Sequence, residues 1–416
     1  MIRHRFQSII GDIPSDWKAR PLYSFLTDDL SGDWGDDEGE VTLSVLRSTN
    51  FTESGNMDVS DVARRAFSEA KAAQLQVQPN DVLVERSGGG PKQPVGRVVM
   101  VRDIMPETGF ANFVQTLRPN TDEIVPELLF WTLHQLNKSG FVERLQHQTT
   151  QMRNLDLRDY LKVLLPVPAD PIEQTRIAET LKAADDHIRA IEEQIHKTER
   201  VKKALLQSFP PSPKHGSGIP LHQVADITSG FTKGRDLSGH ETMQVAYLTV
   251  VNVLDGRVDI SDLSTTEVKL HEVEHFGLRN GDILMTEGGD RDKVGRGSIW
   301  LGQVPQVVCQ NHIFRVRLNA EKVLPWFMHY LLQTFTAKRY FATRAKQSSN
   351  LCSINSREMR LFELPKLTTK EQIPWVERLS SADAMIAAVE AQLTAARRVK
   401  QSLLQNLLTG KIRLKA

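Results

Sequence analysis

The chain carries one long segment twice. Glu173 to Gln207 aligns with Glu371 to Gln405 at a constant offset of 198 residues, without a gap. Glu173-Gln174 meets Glu371-Gln372, Leu181 meets Leu379, Ala184-Asp185 meets Ala382-Asp383, and Ile188 meets Ile386. Further on, Val201-Lys202 meets Val399-Lys400 and Leu205-Leu206-Gln207 meets Leu403-Leu404-Gln405. A duplicated half-chain predicts two like domains and a pseudo-two-fold symmetric molecule. Such a molecule suits a partner with two similar halves, and duplex DNA is the commonest partner of that kind.

The repeat continues outside these segments at offsets that drift through short insertions. Pro21-Leu22 matches Pro220-Leu221, and Gly55, Asp58 and Asp61 match Gly256, Asp259 and Asp262. Asp81-Val82-Leu83 matches Asp282-Ile283-Leu284, Val95-Gly96-Arg97 matches Val294-Gly295-Arg296, and Leu165-Pro166 matches Leu364-Pro365. Each half is thus a variable globular region followed by a near-constant segment. With 416 residues, there is room for two or three cores.

The near-constant segments have the period of long helices. Ile177, Leu181, Ala184, Ile188, Ile191, Ile195, Thr198 and Leu205 follow a four-three spacing that Lys202 interrupts. Leu379, Ala382, Ile386, Val389, Leu393, Ala396 and Leu403 repeat it, interrupted by Lys400. Sustained 3.5-residue spacing predicts a coiled-coil seam, so the two helices are expected to pack on each other as an antiparallel coiled coil. The alternative is that each helix packs only on its own domain. Pro210, Pro211 and Pro213 with Gly216 and Gly218 predict the end of the first helix and a linker. Pro374, where the first copy has Arg176, predicts a displaced or kinked start of the second.

The globular halves read as mixed α+β. Short apolar runs at Asp81 to Val84, Val98 to Val101, Ile283 to Met285 and Val307 to Val308 predict strands, and Leu128 to Leu136 and Trp326 to Leu332 predict helices. A formal net charge of +1 argues mildly against a nucleic-acid partner, yet phosphate contact depends on where charge sits rather than on its sum. Two cysteines, Cys309 and Cys352, make no disulfide framework, which points to a reducing cytoplasm. The opening residues show no long apolar run after their charges, so no secretory signal is expected, and no stretch approaches a membrane-spanning length.

Several segments together resemble the specificity subunit of type I restriction–modification enzymes. The opening Gly11-Asp12-Ile13-Pro14 followed by Trp17 is similar to that family's start. Leu165-Pro166 followed by Ile172-Glu173-Gln174 and a long helix resembles its first conserved region, and Leu364-Pro365 followed by Glu371-Gln372 its second. The ending Leu407-Leu408-Thr409-Gly410-Lys411-Ile412-Arg413-Leu414 resembles its terminus. The resemblance implies two target-recognition domains, at residues 1–168 and 211–367, and two conserved helical spacers, at 169–210 and 368–416. It implies that each domain reads one half of a split double-stranded DNA target. The paired helices would act as a ruler and as the docking surface for two methyltransferase subunits, with restriction/translocase subunits joining the full complex. No membrane partner is implied.

Three groups of residues are candidates for DNA contact. The glycine-rich loops come first: glycine lets a backbone approach phosphate, and Arg86, Ser87, Gly88, Lys92, Gln93 and Arg97 in one half, with Glu287, Asp290, Arg291, Lys293 and Arg296 in the other, supply charge and hydrogen-bonding groups. Different side chains on a shared scaffold would read different half-sites. The second group precedes each conserved region: Thr149, Gln151 and Arg153 match Gln347, Ser348 and Asn350 as a source of amides and hydroxyls. Arg47, Ser48 and Asn50 with Thr249 and Asn252 form the third, and His312 stands beside Asn311. Ordinary hairpin, capping and turn chemistry would account for the same residues.

Catalytic motifs are not expected. No G-x-G-x-x-G follows a strand, no Asn-Pro-Pro-aromatic motif occurs, and Gly410-Lys411 fails as a phosphate loop because Ile412 follows. The resemblance therefore assigns S-adenosylmethionine and ATP to partner subunits, with no cofactor or metal here. His271-Glu272-Val273-Glu274-His275 fits H-E-x-x-H, in which two histidines one turn apart ligate zinc and the glutamate activates water. The matching residues of the first half, Ala70, Lys71 and Gln74, do without that set, which speaks against a zinc peptidase. A coiled-coil scaffold with no DNA role is the other rival; it would show no steep salt-dependent affinity for duplex.

Overall fold

The computed structural model describes residues 13–89, 94–149, 152–213, 216–291, 293–348 and 351–415. It divides into two compact units, Met1–Glu192 with Gln392–Ala416, and Glu193–Ala391. Among the described residues no helix is long and apolar enough to cross a membrane.

The first unit opens with β1 (Trp17–Pro21), β2 (Leu26–Ser31), β3 (Val41–Leu46), β4 (Ala63–Phe67) and α1 (Glu69–Leu75). Next come β5 (Val82–Glu85), β6 (Ser87–Gly89), β7 (Val98–Met100), β8 (Thr108–Phe110), β9 (Val114–Pro119) and α2 (Pro126–Lys138). The hairpin β10 (Gln146–Thr149) and β11 (Met152–Leu155), then α3 (Leu157–Tyr160) and β12 (Leu164–Pro168), lead into the long α4 (Pro171–Ser208).

The second unit follows the same plan. It runs through β13 (Ile219–Pro220), β14 (Ala225–Ser229), β15 (Thr242–Leu248), β16 (Val253–Leu254), β17 (Arg257–Val258), β18 (Ser264–Lys269) and α5 (Leu270–Phe276). It continues with β19 (Ile283–Thr286), β20 (Gly288–Gly289), β21 (Gly297–Ile299), β22 (Val307–Cys309), β23 (Ile313–Leu318), α6 (Pro325–Gln333) and α7 (Phe335–Arg344). The hairpin β24 (Lys346–Ser348) and β25 (Leu351–Ser353), α8 (Ser356–Arg360) and β26 (Glu363–Leu364) precede the second long helix, α9 (Thr369–Leu407).

Each unit is built on a four-stranded sheet, in the order β2-β9-β5-β7 in the first and β14-β23-β19-β21 in the second. The central strands are buried on both faces, so they read as unbroken apolar runs. Alternation sends their side chains into two different cores. Val82 and Val84 join α2 and the long helices in one core, while Leu83 joins the β4-β3-β8 sheet in the other. Ile283 and Met285 divide from Leu284 in the same way. A buried carboxylate starts each central strand and takes a two-pronged hydrogen bond from an arginine: Asp81 from Arg118 at 2.8 and 2.9 Å, and Asp282 from Arg317 at 2.7 Å twice.

The long helices begin at equivalent positions, Pro171 and Thr369. Pro374 therefore displaces nothing; near a helix start it removes only one backbone bond. The duplicated glutamines explain why the two helices enter alike. Gln174 accepts from the Val125 backbone N–H (3.0 Å) and donates to the Pro168 carbonyl (3.0 Å). Gln372 accepts from Leu324 N–H (2.9 Å) and donates to the Lys322 and Leu367 carbonyls (3.0 Å each). Val125 and Leu324 are the residues just ahead of α2 and α6, so each glutamine ties a long helix to the start of its unit's own helix.

Within each unit α4 and α9 run antiparallel. In the first unit Asp185 pairs with Lys400 and Glu192 with Arg397, one number rising as the other falls. In the second, Lys202 pairs with Asp383 and the Phe209 ring meets the Trp375 ring. Ile177, Leu181, Ile188, Ile191, Leu379 and Val389 are buried, and Ile195, Leu205, Ile386, Leu393 and Leu403 are half-buried. Near the end of α9 the apolar face shifts to Leu404 and Leu407, which are nearly inaccessible. The lysines that break the apolar spacing are the ones in the ion pairs. Lys400 also lies 4.4 Å from the Trp131 ring centre, and Asp383 accepts from the Tyr330 hydroxyl at 2.9 Å.

The C-terminal segment closes the first unit. Arg413 donates to both carboxylate oxygens of Glu173 (2.7 Å each) and of Asp16 (2.8 and 2.7 Å). These contacts hold both carboxyls below their usual range. Gly11 and Asp12 lie outside the described residues.

Candidate nucleic-acid interface

In the first unit β10, β11 and β6 form one small antiparallel sheet, with Arg153 opposite Gly89 and Asn154 opposite Ser87. In the second unit β24, β25 and β20 form its counterpart, with Cys352 opposite Gly289 and Gln347. Two groups that are some sixty residues apart in sequence thereby become one surface: the glycine-rich loop and the amide–hydroxyl hairpin. Lys92, Gln93, Gln151 and Asn350 lie outside the described residues. Thr149 and Ser348 sit at the last positions of β10 and β24.

The Val-Gly-Arg motif shapes the root of each loop. Gly96 and Gly295 have positive φ, and a Cβ on either would collide with Val142 or Phe341. In both units the strand residue ahead of the loop pairs through its backbone with the motif's arginine: Glu85 N–H reaches Arg97 O at 2.9 Å, and Thr286 N–H reaches Arg296 O at 2.9 Å. Above this shared frame the side chains differ. Arg97 donates to both oxygens of Glu85 (2.8 and 2.9 Å) and to the Phe51 and Ser48 carbonyls (2.8 and 3.0 Å). Glu85 is buried, and this pairing raises the arginine above its ordinary pKa. Among the described residues Arg296 reaches only the Val250 carbonyl, at 3.3 Å.

One residue further on, the charge reverses. Arg86 donates to Ser31 Oγ (2.9 Å) and to Gln115 Oε1 (3.4 Å). At the same backbone position of the second unit stands Glu287, whose carboxylate meets His312 Nδ1 at 3.2 Å. Ser87 is buried in its strand, and Gly88, at φ +107°, is exposed. Arg291 is exposed and bonds the Ala342 carbonyl at 3.5 Å; Lys293 is also exposed and pairs with Asp290, whose carboxyl it holds below the usual range. Gln347 is exposed and Arg153 half-buried.

In the third group the two asparagines face inward, while Arg47, Ser48 and Thr249 are half-buried. Asn50 accepts from Arg47 N–H (2.8 Å) and donates to the Asp58 and Asp61 carbonyls (2.8 and 2.9 Å). Asn252 accepts from Thr249 N–H (2.9 Å) and donates to the Asp259 and Asp262 carbonyls (3.1 and 3.2 Å). The clip uses backbone carbonyls; the repeated Asp58 and Asp259 carboxylates instead accept from the Ser60 N–H (2.9 Å) and the Ser261 N–H (3.0 Å). Arg47 pairs with Asp61, and the Ser48 and Val250 carbonyls brace the loop arginines. The sequence reading passed over Ser31, Glu85, Gln115 and Thr286. The exchange of Glu85 for Thr286, beside the aligned Asp81-Val82-Leu83 run, was the available signal.

The HEVEH segment forms α5, and its geometry does not suit water activation. Glu272 is buried, pairs with Arg235 through both oxygens and accepts from the Lys269 N–H at 3.0 Å. Among the described residues no group of three His, Cys, Asp or Glu could hold a metal ion.

The architecture defines a class: a duplicated mixed α/β chain with paired long helices, each unit bearing a small loop-and-hairpin sheet. No protein-family model matches the chain. Its curated homologues are specificity subunits of type I restriction enzymes. It is 24% identical over 431 residues to the StySPI specificity subunit of Salmonella potsdam and 23% identical over 434 residues to the EcoKI specificity subunit of Escherichia coli K12, each match covering 97% of this chain and 90% of the relative. A 24% match to the putative MjaX specificity subunit of Methanocaldococcus jannaschii covers 52% of this chain and 50% of that one. The fold matches the type I S subunit from M. genitalium with a TM-score of 0.56 at 15% identity, covering 95% of this chain and 96% of that one. A chain from a structure of type I restriction–modification complex assembly gives 0.58 at 14% identity, covering 96% of this chain and all of that one.

Proposed function

We propose that this chain is the non-catalytic DNA sequence-specificity subunit of a type I restriction–modification complex. Each unit reads one half of a bipartite duplex target. Methyl transfer to adenine N6 belongs to a partner methyltransferase, and cleavage to a restriction/translocase partner; S-adenosylmethionine and ATP are bound there. The observation that carries this reading is the small sheet repeated on one frame with opposite charges, Arg86 in one unit and Glu287 in the other. An arginine suits guanine O6 and N7, whereas a carboxylate accepts from cytosine N4, so the two units would prefer different bases. A two-stranded β-ribbon is narrow enough to enter a major groove.

We assign the recognition domains to residues 1–168 and 211–367, and the spacers to 169–210 and 368–416. Both units carry a groove between their own helix and the last turns of a long helix. Leu136, Leu404 and Leu408 line one; Phe209, Phe335 and Leu206 line the other. Two like grooves suit two copies of the methyltransferase, and Phe335 is exposed there. The complex would work in the cytoplasm, on chromosomal and incoming DNA. Co-expression with the cognate methyltransferase, followed by genome-wide adenine-methylation mapping, tests the reading. It predicts new methylation at a two-part sequence; no added methylation in the presence of an assembled complex would refute it.

A further inference from the structure

The duplicated loop arginines occupy the same backbone position but meet different company. Arg97 is neutralised by the buried Glu85 carboxylate and saturated by two carbonyls. At the matching position of the second unit Thr286 replaces the carboxylate, and its hydroxyl turns to the Lys293 carbonyl at 2.8 Å. Arg296 keeps the carbonyl contact, to Val250 instead of Ser48, and loses the rest. Its Nε is buried and, among the described residues, has no hydrogen-bond partner. Asp290 lies near enough for Arg296 to lower its pKa, but that carboxylate is paired with Lys293.

A half-buried guanidinium to which no carboxylate bonds among the described residues is left without a paired counter-charge, and a buried charge is costly unless it is paired. An oxyanion meeting the accessible part of the side chain would supply that counter-charge; the buried Nε itself has no surface for a ligand to reach. We infer that Arg296 is a phosphate anchor of the second unit, a contact that Glu85 denies to Arg97 in the first. A phosphodiester is favoured over a base edge because the guanidinium is recessed at the loop root. Backbone oxygens project from a duplex, whereas base edges lie at the groove floor. The inference rests on the DNA-recognition reading above and adds an asymmetry to it.

The test uses the full chain assembled with its methyltransferase and a duplex carrying the mapped target. Affinity is measured over a range of salt for the unsubstituted complex, Thr286→Glu, Arg296→Ala and Arg296→Lys. Thr286→Glu recreates the neutralising carboxylate without touching the arginine. Both Thr286→Glu and Arg296→Ala are expected to weaken target and non-target duplexes alike by about tenfold, and to lower the log–log salt slope by about one. Arg296→Lys should restore most of the slope. If Thr286→Glu does not fold, as its melting curve would show, the two Arg296 variants decide alone. Unchanged affinity and slope in Arg296→Ala would overturn the anchor. A loss confined to the target sequence with the slope intact would also overturn it, by making the contact a base contact. Failure of the unsubstituted complex to bind any duplex would instead fell the DNA-recognition reading itself.

Discussion

Gln174 and Gln372 show how one side chain can fix the entry of a helix nearly forty residues long. Each satisfies a backbone N–H ahead of a second helix and a carbonyl ahead of its own. Truncating either to alanine strands those groups. We expect Gln372→Ala to cost about 1–3 kcal/mol of stability in urea unfolding, and Gln174→Ala a similar amount. His134 predicts a pH dependence. Burial, with Lys400 and Lys138 nearby and Glu53 opposing them, lowers its pKa from 6.5 to about 3. The unfolded chain takes up a proton as pH falls through 6.5, while the folded chain does not until near 3. Stability is therefore intact above pH 6.5 and falls below it, by about 1.4 kcal/mol per pH unit for this residue. The matching position in the second unit is Gln333, so His134→Gln should flatten the acid limb of a melting-temperature profile. His329, lowered to about 4 by burial, leaves a smaller dependence of the same sign. The Glu-Gln repeat was legible in sequence, but the glutamine's purpose was not, because the backbone N–H groups it satisfies lie about fifty residues away.

At the scale of elements, the polar breaks in the helix seams carry the most information. Asp185 and Lys400 are almost wholly buried, as is their matching contact's tyrosine partner, Tyr330. Removing one partner leaves a charge uncompensated. Asp185→Ala should cost about 3–5 kcal/mol, whereas Asp185→Leu with Lys400→Leu should recover most of that loss, as read by chemical unfolding of the two variants. The seam itself could be read from the four-three spacing, as could both central strands, because periodicity reports burial directly. The ion pairs could not: Lys202 and Lys400 looked like interruptions, and only pairing across the seam reveals what they interrupt it for. The small loop-and-hairpin sheets were legible only in pieces. β6 and β20 are two or three residues long and glycine-rich, too short for any period to register, and their pairing with distant hairpins is a tertiary fact. Of the displaced or kinked start expected at Pro374, the displacement did not occur: the helix begins at Thr369, the equivalent of Pro171.

For the whole molecule, duplication was the dominant signal, and it survives in the fold as matching sheets, matching cores and matching clamps. Among the differences between the halves, one falls where recognition is proposed: Glu85 and Arg86 against Thr286 and Glu287. Sequence displayed that exchange but could not say which face each residue took. If the long helices set the spacing of a bipartite target, inserting one helical turn into both copies should lengthen the unread gap and leave the two half-sites unchanged, as methylation mapping would show. Adenine-methylation mapping of cells co-expressing the unsubstituted chain with its methyltransferase tests the central claim most directly. Two short specific sequences separated by a fixed stretch of unspecified bases is the predicted result, and a single uninterrupted target would contradict it.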